Sequence, residues 1–208
     1  MALPATHLRF AVDLADRFPI QSERRYLSGT LYPDSQWLTG VDRRSSHSQA
    51  CSHPDFIMDD FTLGWHVHCR CDLIQTALFF DHFPDIEHLD EDKRWLQLTV
   101  FKMLQDREDM MAFDLDSALA QLTHVQSPNG ESPQQVKAYL DLVRDTYRGK
   151  KRLDMDDYHK LWISVGLAPQ IAAMVMAETR RKADDKGLIT QLQTIYLQIT
   201  ARFKNGAL

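Results

Sequence analysis

The apolar residues of this chain recur at helical spacing along most of its length, and no segment shows the sustained alternation that predicts a half-buried strand. The helical stripes are separated by residues that commonly end helices, such as Pro19, Gly149 and Gly166. We therefore expect an all-α fold with a single multi-helix domain over residues 1–208. Within it, residues 1–92 form the candidate metal-binding core and residues 93–208 supply additional helices that pack against it.

Helix-capping and helix-breaking residues predict where the N-terminal helices begin and end. Thr6 can cap the first helix, which ends before Pro19. A short second helix is expected over residues 22–27, with Gly29 as its stop. The segment 36–54 is polar and without periodicity, so we expect a loop that includes at most a helical turn.

A longer helix is expected over residues 55–80, and it carries the first chemical signal. Gly64, His68 and Asp72 follow one another at intervals of one helical turn. An imidazole and a carboxylate four residues apart can reach a single metal ion, and Gly64 would leave room beside that ion. By itself such a pair is more typical of a hydrogen-bonded surface pair than of a metal site.

Further candidate ligands precede that helix in the chain. His7 lies at the start of the first helix, Asp34 on a loop stiffened by Pro33, and His47 on the polar loop. Nitrogen and oxygen ligands of this kind suit zinc, and also manganese or iron. The sequence thus predicts His7, Asp34, His47, His68 and Asp72 as ligands of one or two ions. His82 and His88, in the polar segment 81–90, are additional candidates.

The order of these motifs resembles that of the zinc-dependent phospholipase C family. In that family's pattern a His on the first helix precedes a G-x-x-x-P-D turn, a Thr-His or similar dipeptide, and a G-x-x-x-H-x-x-x-D helix. The resemblance covers about residues 6–92, and its matching residues are His7, Gly29 with Pro33-Asp34, Ser46-His47, and Gly64 with His68 and Asp72.

The resemblance implies an all-helical protein whose zinc ions activate water against a phosphodiester. Family members act on phospholipids, and the related fungal single-strand nucleases act on nucleic acid. By the match of motifs, Asp34, His47, His68 and Asp72 would surround one ion, and His7 would share Asp72 with a second. The family's further His-x-x-x-Glu pair does not occur in this sequence, which favours one or two ions over three.

These residues predict a metal-dependent hydrolase of a phosphoester. Asp34 or Asp72 would orient or deprotonate the attacking water, and Arg43, Arg44 or Arg70 would neutralise phosphoryl oxygens. Two alternatives stay open. One is a non-catalytic helical module with a structural or vestigial metal site that binds a protein partner. The other is an HD-type phosphohydrolase, although the chain has no His-Asp dipeptide.

Net charge and hydropathy limit the classes of partner, and the cellular location, that we expect for this chain. The net charge of −5 argues against bulk nucleic-acid binding but is compatible with a small phosphorylated substrate or a lipid headgroup. No apolar run is long enough for a transmembrane segment, and charges interrupt the N-terminal stretch, so we expect a cytoplasmic protein without a signal peptide. Cys51, Cys69 and Cys71 are expected to be reduced thiols. A homo-oligomer stays open.

Overall fold

The computed structural model describes residues 3–47 and 59–205, and these residues form helices and turns with no strand among them. The predicted all-α class is confirmed. Three short 3₁₀ turns occupy Ala15–Arg17, Tyr32–Ser35 and Pro84–His88. The α-helices are α1 Pro4–Leu14, α2 Glu23–Leu31, α3 Gln36–Thr39, α4 Arg43–His47, α5 Asp60–His82, α6 Glu91–Asp109, α7 Leu115–Ala120, α8 Pro133–Tyr147, α9 Met155–Ser164, α10 Pro169–Lys182 and α11 Lys186–Lys204.

Helix α1 lies in the interior, where it contacts α2, α5, α6, α7 and α11. It begins at Pro4, two residues before the predicted Thr6, because a proline is favoured in the first helical turn. Thr6 is therefore inside the helix rather than at its cap. His7 is completely buried, since α1 is covered on almost every side.

Helices α2 and α5 pack with their backbones in contact. A Cβ atom at Gly29 would lie 2.0 Å from the Phe61 carbonyl oxygen, and one at Gly64 would lie 1.9 Å from the Tyr26 carbonyl oxygen. Gly29 thus does not stop α2 as predicted, since α2 continues through it to Leu31. The room that Gly64 leaves is filled by α2, so its expected role beside the metal ion was wrong.

The segment 36–54, predicted as a loop, is partly helical. Helices α3 and α4 occupy most of residues 36–47, and Gly40 joins them with a φ of 71°, a conformation that favours glycine. Residues 48–58, with Cys51 and the predicted start of the long helix at residue 55, lie outside the described residues. Helix α5 begins at Asp60, and the Asp59 side chain caps it by accepting a hydrogen bond from the Thr62 amide.

The C-terminal helices share one hydrophobic core with the N-terminal ones. That core runs from Leu8 in α1 through Phe79 in α5 to Val143 in α8 and Ile199 in α11. Helix α11 packs along α5, and α10 packs on α6 and α9. Across the described ranges, no helix has both the length and the apolar character needed to cross a membrane.

Candidate metal centre

The five predicted ligands come from four separate elements and meet in the interior. His7 lies on α1, Asp34 in the Tyr32–Ser35 turn, His47 at the end of α4, and His68 and Asp72 on α5. Two groups have ligand atoms within 4.8 Å of one another and could each hold a metal ion: His7, Asp34 and His68; and His47, His68 and Asp72.

The carboxylate of Asp34 occupies the middle of the cluster. Its Oδ1 lies 3.7 Å from His47 Nε2 and 3.8 Å from His68 Nε2, while its Oδ2 lies 3.8 Å from His7 Nε2. These gaps are too long for hydrogen bonds. Two ligands of one tetrahedral zinc ion lie about 3.4 Å apart, because each bond is about 2.1 Å long. The spacing is therefore within a few tenths of an ångström of that of atoms sharing an ion.

His7 faces both carboxylates and stacks on His68. Its Nε2 lies 3.9 Å from Asp72 Oδ1 in addition to its approach to Asp34. The two imidazole rings are nearly parallel, with centroids 3.6 Å apart. Two imidazolium ions cannot occupy such a stack in a buried site without strong repulsion. At least one of the two rings is therefore neutral, which is the protonation state that metal binding requires.

A backbone carbonyl fixes the orientation of His68. Its Nδ1 lies 2.8 Å from the carbonyl oxygen of Thr30. A carbonyl oxygen only accepts, so Nδ1 carries the hydrogen and Nε2 presents its lone pair to the cluster. Burial, followed by the neighbouring imidazole of His7, lowers the pKa of His68 to about 3. The ring is thus neutral at pH 7, with one nitrogen available for a metal ion.

The contact between α2 and α5 makes that hydrogen bond geometrically possible. Thr30 lies on α2. A Cβ atom at Gly64 would approach the amide nitrogen and the hydroxyl oxygen of Thr30 in addition to the Tyr26 carbonyl oxygen. Since Gly64 and His68 are one turn apart on α5, the close packing at Gly64 brings the Thr30 carbonyl within reach of His68. The G-x-x-x-H spacing thus serves the orientation of the ligand.

His47 is held by a chain of polar contacts. Its Nδ1 lies 2.8 Å from Ser46 Oγ, which can donate to Gln36 Oε1 or to the Arg43 carbonyl oxygen. Its Nε2 lies 3.4 Å from Arg43 Nη1, and because a guanidinium only donates, Nε2 is the acceptor. His47 Nε2 and His68 Nε2 face the same space, because both lie within 3.8 Å of Asp34 Oδ1.

Of the three predicted phosphate-binding arginines, Arg43 lies closest to the cluster. Its Nη2 is 3.6 Å from Asp72 Oδ2, and its side chain is 54% exposed. Arg43 and Arg44 line a cavity of about 430 Å³ that His47 and Asp72 also line. The Arg70 guanidinium lies over the Phe203 ring of α11, and Arg70 is not among the residues that line this cavity.

The remaining candidate ligands belong to neither group. His82 Nε2 lies 2.9 Å from Gln198 Oε1 on α11, and His88 is exposed in the Pro84–His88 turn. Cys69 and Cys71 are buried, and among the described residues neither belongs to a potential metal group. The candidate centre in the described residues consists of histidine nitrogens and aspartate oxygens.

Two buried atoms of the cluster test whether these residues fit a metal ion. His68 Nε2 and Asp34 Oδ1 are buried and have no hydrogen-bond partner within the described ranges. Buried acceptors are normally satisfied, because an unsatisfied one costs about 1–3 kcal/mol. A cation bound by both atoms would remove that cost. The donor set and its burial therefore fit a divalent transition metal.

Asp106 of α6, which belongs to no motif in the sequence, anchors α1 next to His7. Its Oδ1 accepts a hydrogen bond from the Thr6 amide, and its Oδ2 accepts from the hydroxyls of Tyr147 and Tyr158. The only signal in the sequence is the position of Asp106, three residues after the apolar Met103, which predicts the buried face of a helix. That position alone names no partner for the carboxylate.

Comparisons of this chain with models of protein families, with curated proteins and with solved structures find no match.

Proposed function

We propose that this chain is a metal-dependent hydrolase of a phosphoester, with a phosphodiester as the expected substrate. The observation that carries the proposal is the meeting of three imidazoles and two carboxylates at a buried point beside an arginine. The resemblance of residues 6–92 to the zinc-dependent phospholipase C family supports the choice of a phosphodiester. The substrate would be a small phosphorylated molecule or a lipid headgroup.

The residues divide between one or two ions according to the lone pairs that they offer. His68 has one free nitrogen and so binds one ion, whereas the two oxygens of Asp34 approach different imidazoles, Oδ1 that of His68 and Oδ2 that of His7. One ion would be held by His68 with the other members of either potential group, and a second would be held by ligands that remain among His7, Asp34, His47 and Asp72. Zinc is the first choice for such ligands, with manganese or iron as alternatives.

Bound there, the metal would supply activation of water and neutralisation of negative charge. The chain's own residues supply the rest. Asp34 or Asp72 orients the water through an oxygen that is not held by an ion and accepts its proton. Arg43, exposed to the cavity and next to Asp72, pairs with phosphoryl oxygens, for which a guanidinium has matching geometry.

Metal content and turnover test the proposal together. Purified protein, loaded with zinc and dialysed, should contain one or two ions per chain by mass spectrometry. His68→Ala should lose stoichiometric metal, because its Nε2 is a buried ligand. His88→Ala is the matched control, since His88 is exposed and outside the cluster, and it should bind metal as the wild type does.

The loaded protein should hydrolyse at least one member of a panel: bis(p-nitrophenyl) phosphate, a phosphatidylcholine and a single-stranded oligonucleotide. Asp34→Asn should lower kcat by about 100-fold or more, the range in which loss of a proton acceptor acts. Stoichiometric metal without turnover would instead support the non-catalytic helical module. Absence of bound metal would contradict both the hydrolase and the non-catalytic module with a metal site.

A further inference from the structure

A second cavity, of about 500 Å³, opens beside the metal centre. Three of the chain's four tryptophans line it, Trp37, Trp95 and Trp162, and we call it the tryptophan cavity. Trp37 is 40% exposed, and its ring stands edge-on to Trp162 with 6.3 Å between centroids. Indole faces and edges around a concave site favour a planar apolar ligand.

The tryptophan cavity is positively charged. Arg43 and Lys102 line it, and no carboxylate occurs among its described lining residues. Within residues 3–47 and 59–205, no acidic group pairs with Lys102, which is partly buried on α6. Burial lowers the pKa of Lys102 to about 8, so the ammonium is still mostly charged at pH 7. An uncompensated cation in an apolar cavity favours an anionic ligand.

The tryptophan cavity adjoins the metal centre on two sides. Arg43 lines both this cavity and the one that contains His47 and Asp72. Trp37 and Trp162 also line a small apolar cavity that reaches Asp34. A ligand in the tryptophan cavity would therefore contact side chains that also line the spaces around Asp34, His47 and Asp72.

We propose that the tryptophan cavity binds the organic group of the substrate, which is a planar aromatic group that carries a second anionic group paired with Lys102. The inference rests on the proposed function, because it assigns the phosphoester of that reaction to an aromatic class. The phosphoryl group lies at Arg43 and the metal ligands, the ring lies against Trp37 and Trp162, and the second anion reaches Lys102.

Calorimetric titration of the metal-free full-length protein with naphthalene-2-sulfonate tests the cavity without turnover. Two further probes each lack one feature: 2-naphthalenemethanol has the ring but no charge, and inorganic sulfate has the charge but no ring. The sulfonate should bind at least tenfold more tightly than either. Lys102→Met should remove its advantage over the alcohol, whereas Lys160→Met, at an exposed helical lysine outside the cavity, should keep it. Trp37→Ala should weaken both aromatic ligands.

Equal binding of the sulfonate and the alcohol, or an unchanged sulfonate affinity in Lys102→Met, would overturn the inference. In the metal-loaded enzyme, naphthalene-2-sulfonate should inhibit hydrolysis competitively, and non-competitive or absent inhibition would also overturn it. Failure of the proposed function has a different signature, because the metal-loaded protein would then lack turnover while the sulfonate still bound through Lys102.

Discussion

The buried carboxylate of Asp106 is a residue outside the candidate metal centre that helps to hold its geometry. It binds the Thr6 amide, one residue before His7, and the hydroxyls of Tyr147 and Tyr158. These hydrogen bonds connect the first turn of α1 to α8 and α9. The position of His7 therefore depends on helices that carry no ligand.

The same carboxylate predicts a pH dependence of stability. Burial raises the pKa of Asp106 to about 6, although the three hydrogen bonds oppose the shift, whereas the unfolded value is 3.8. The folded protein therefore keeps a proton that the unfolded chain releases between these pH values. The contribution of Asp106 to stability is full below pH 3.8 and is lost as the pH rises through 6.

We expect the wild type to lose up to about 3 kcal/mol of unfolding free energy relative to Asp106→Asn as the pH rises from 4 to 7, since one pKa unit corresponds to about 1.4 kcal/mol. Urea unfolding at a series of pH values measures the difference. Asp184→Asn, at an exposed position, is the control and should run parallel to the wild type. If the unfolding free energy of Asp106→Asn changed with pH as that of the wild type does, Asp106 would not be the group responsible for the pH dependence.

At the scale of elements, the contact between α2 and α5 decides whether His68 can be oriented. Gly29 and Gly64 each lie against the backbone of the opposite helix, and Thr30 accepts the His68 hydrogen bond from within this contact. The glycines were predicted as a helix stop and as room for an ion. Periodicity and capping rules describe a helix alone, so they did not reveal that the helices touch at these residues.

Gly64→Ala should therefore separate the two helices. Its Cβ would lie 1.9 Å from a backbone oxygen, which cannot move as a flexible side chain would. We expect a loss of about 3 kcal/mol or more in urea unfolding, at the upper end of the cost of overpacking. Metal affinity should also fall, because the Thr30 carbonyl would move away from His68.

Gly187→Ala is the matched control for that variant. Gly187 is also helical, but the nearest atom to its Cβ is Asp185 Oδ1 at 3.3 Å, a side-chain atom that has to shift by only a few tenths of an ångström. Its effect on the unfolding free energy should stay within about 1 kcal/mol, because the gain in helix propensity of alanine over glycine is offset by the small shift of Asp185. Equal effects of the two substitutions would show that the backbone contact at Gly64 is unimportant.

At the scale of the whole molecule, the N-terminal part that carries the ligands is not a separate unit in the structure. Helix α1 contacts α6, α7 and α11 in addition to α2 and α5. Arg9 donates to the buried Asp109 carboxylate and lies 3.7 Å over the Tyr196 ring. Removal of the C-terminal helices would expose the apolar faces of α1 and would remove its polar partners.

We expect a fragment of residues 1–92 to lack a cooperative unfolding transition, whereas residues 1–208 unfold cooperatively. Circular dichroism during urea titration measures the transition, and zinc binding to each form gives a second readout. The fragment should bind zinc weakly, because the N-terminal turn of α1 loses its Asp106 anchor. A cooperative fragment with stoichiometric metal would show that the C-terminal helices are dispensable.

The sequence by itself determined the helical class and the order of the five candidate ligands. Both depend on local information: apolar spacing specifies a helix, and His68 and Asp72 share a helical face because four residues make about one turn. The resemblance added a proposed order of motifs and a phosphodiester chemistry. It supplied no distances between His7, Asp34, His47 and His68, which are far apart along the chain.

Only the tertiary structure decided that these side chains meet. Their distances depend on how α1, α2, α4 and α5 pack, and that packing follows from long-range contacts such as the backbone approach at Gly64 and the buried hydrogen bonds of Asp106. The tryptophan cavity has the same origin. Trp37, Lys102 and Trp162 carry no motif, and they form one charged, aromatic space because three separate helices enclose it.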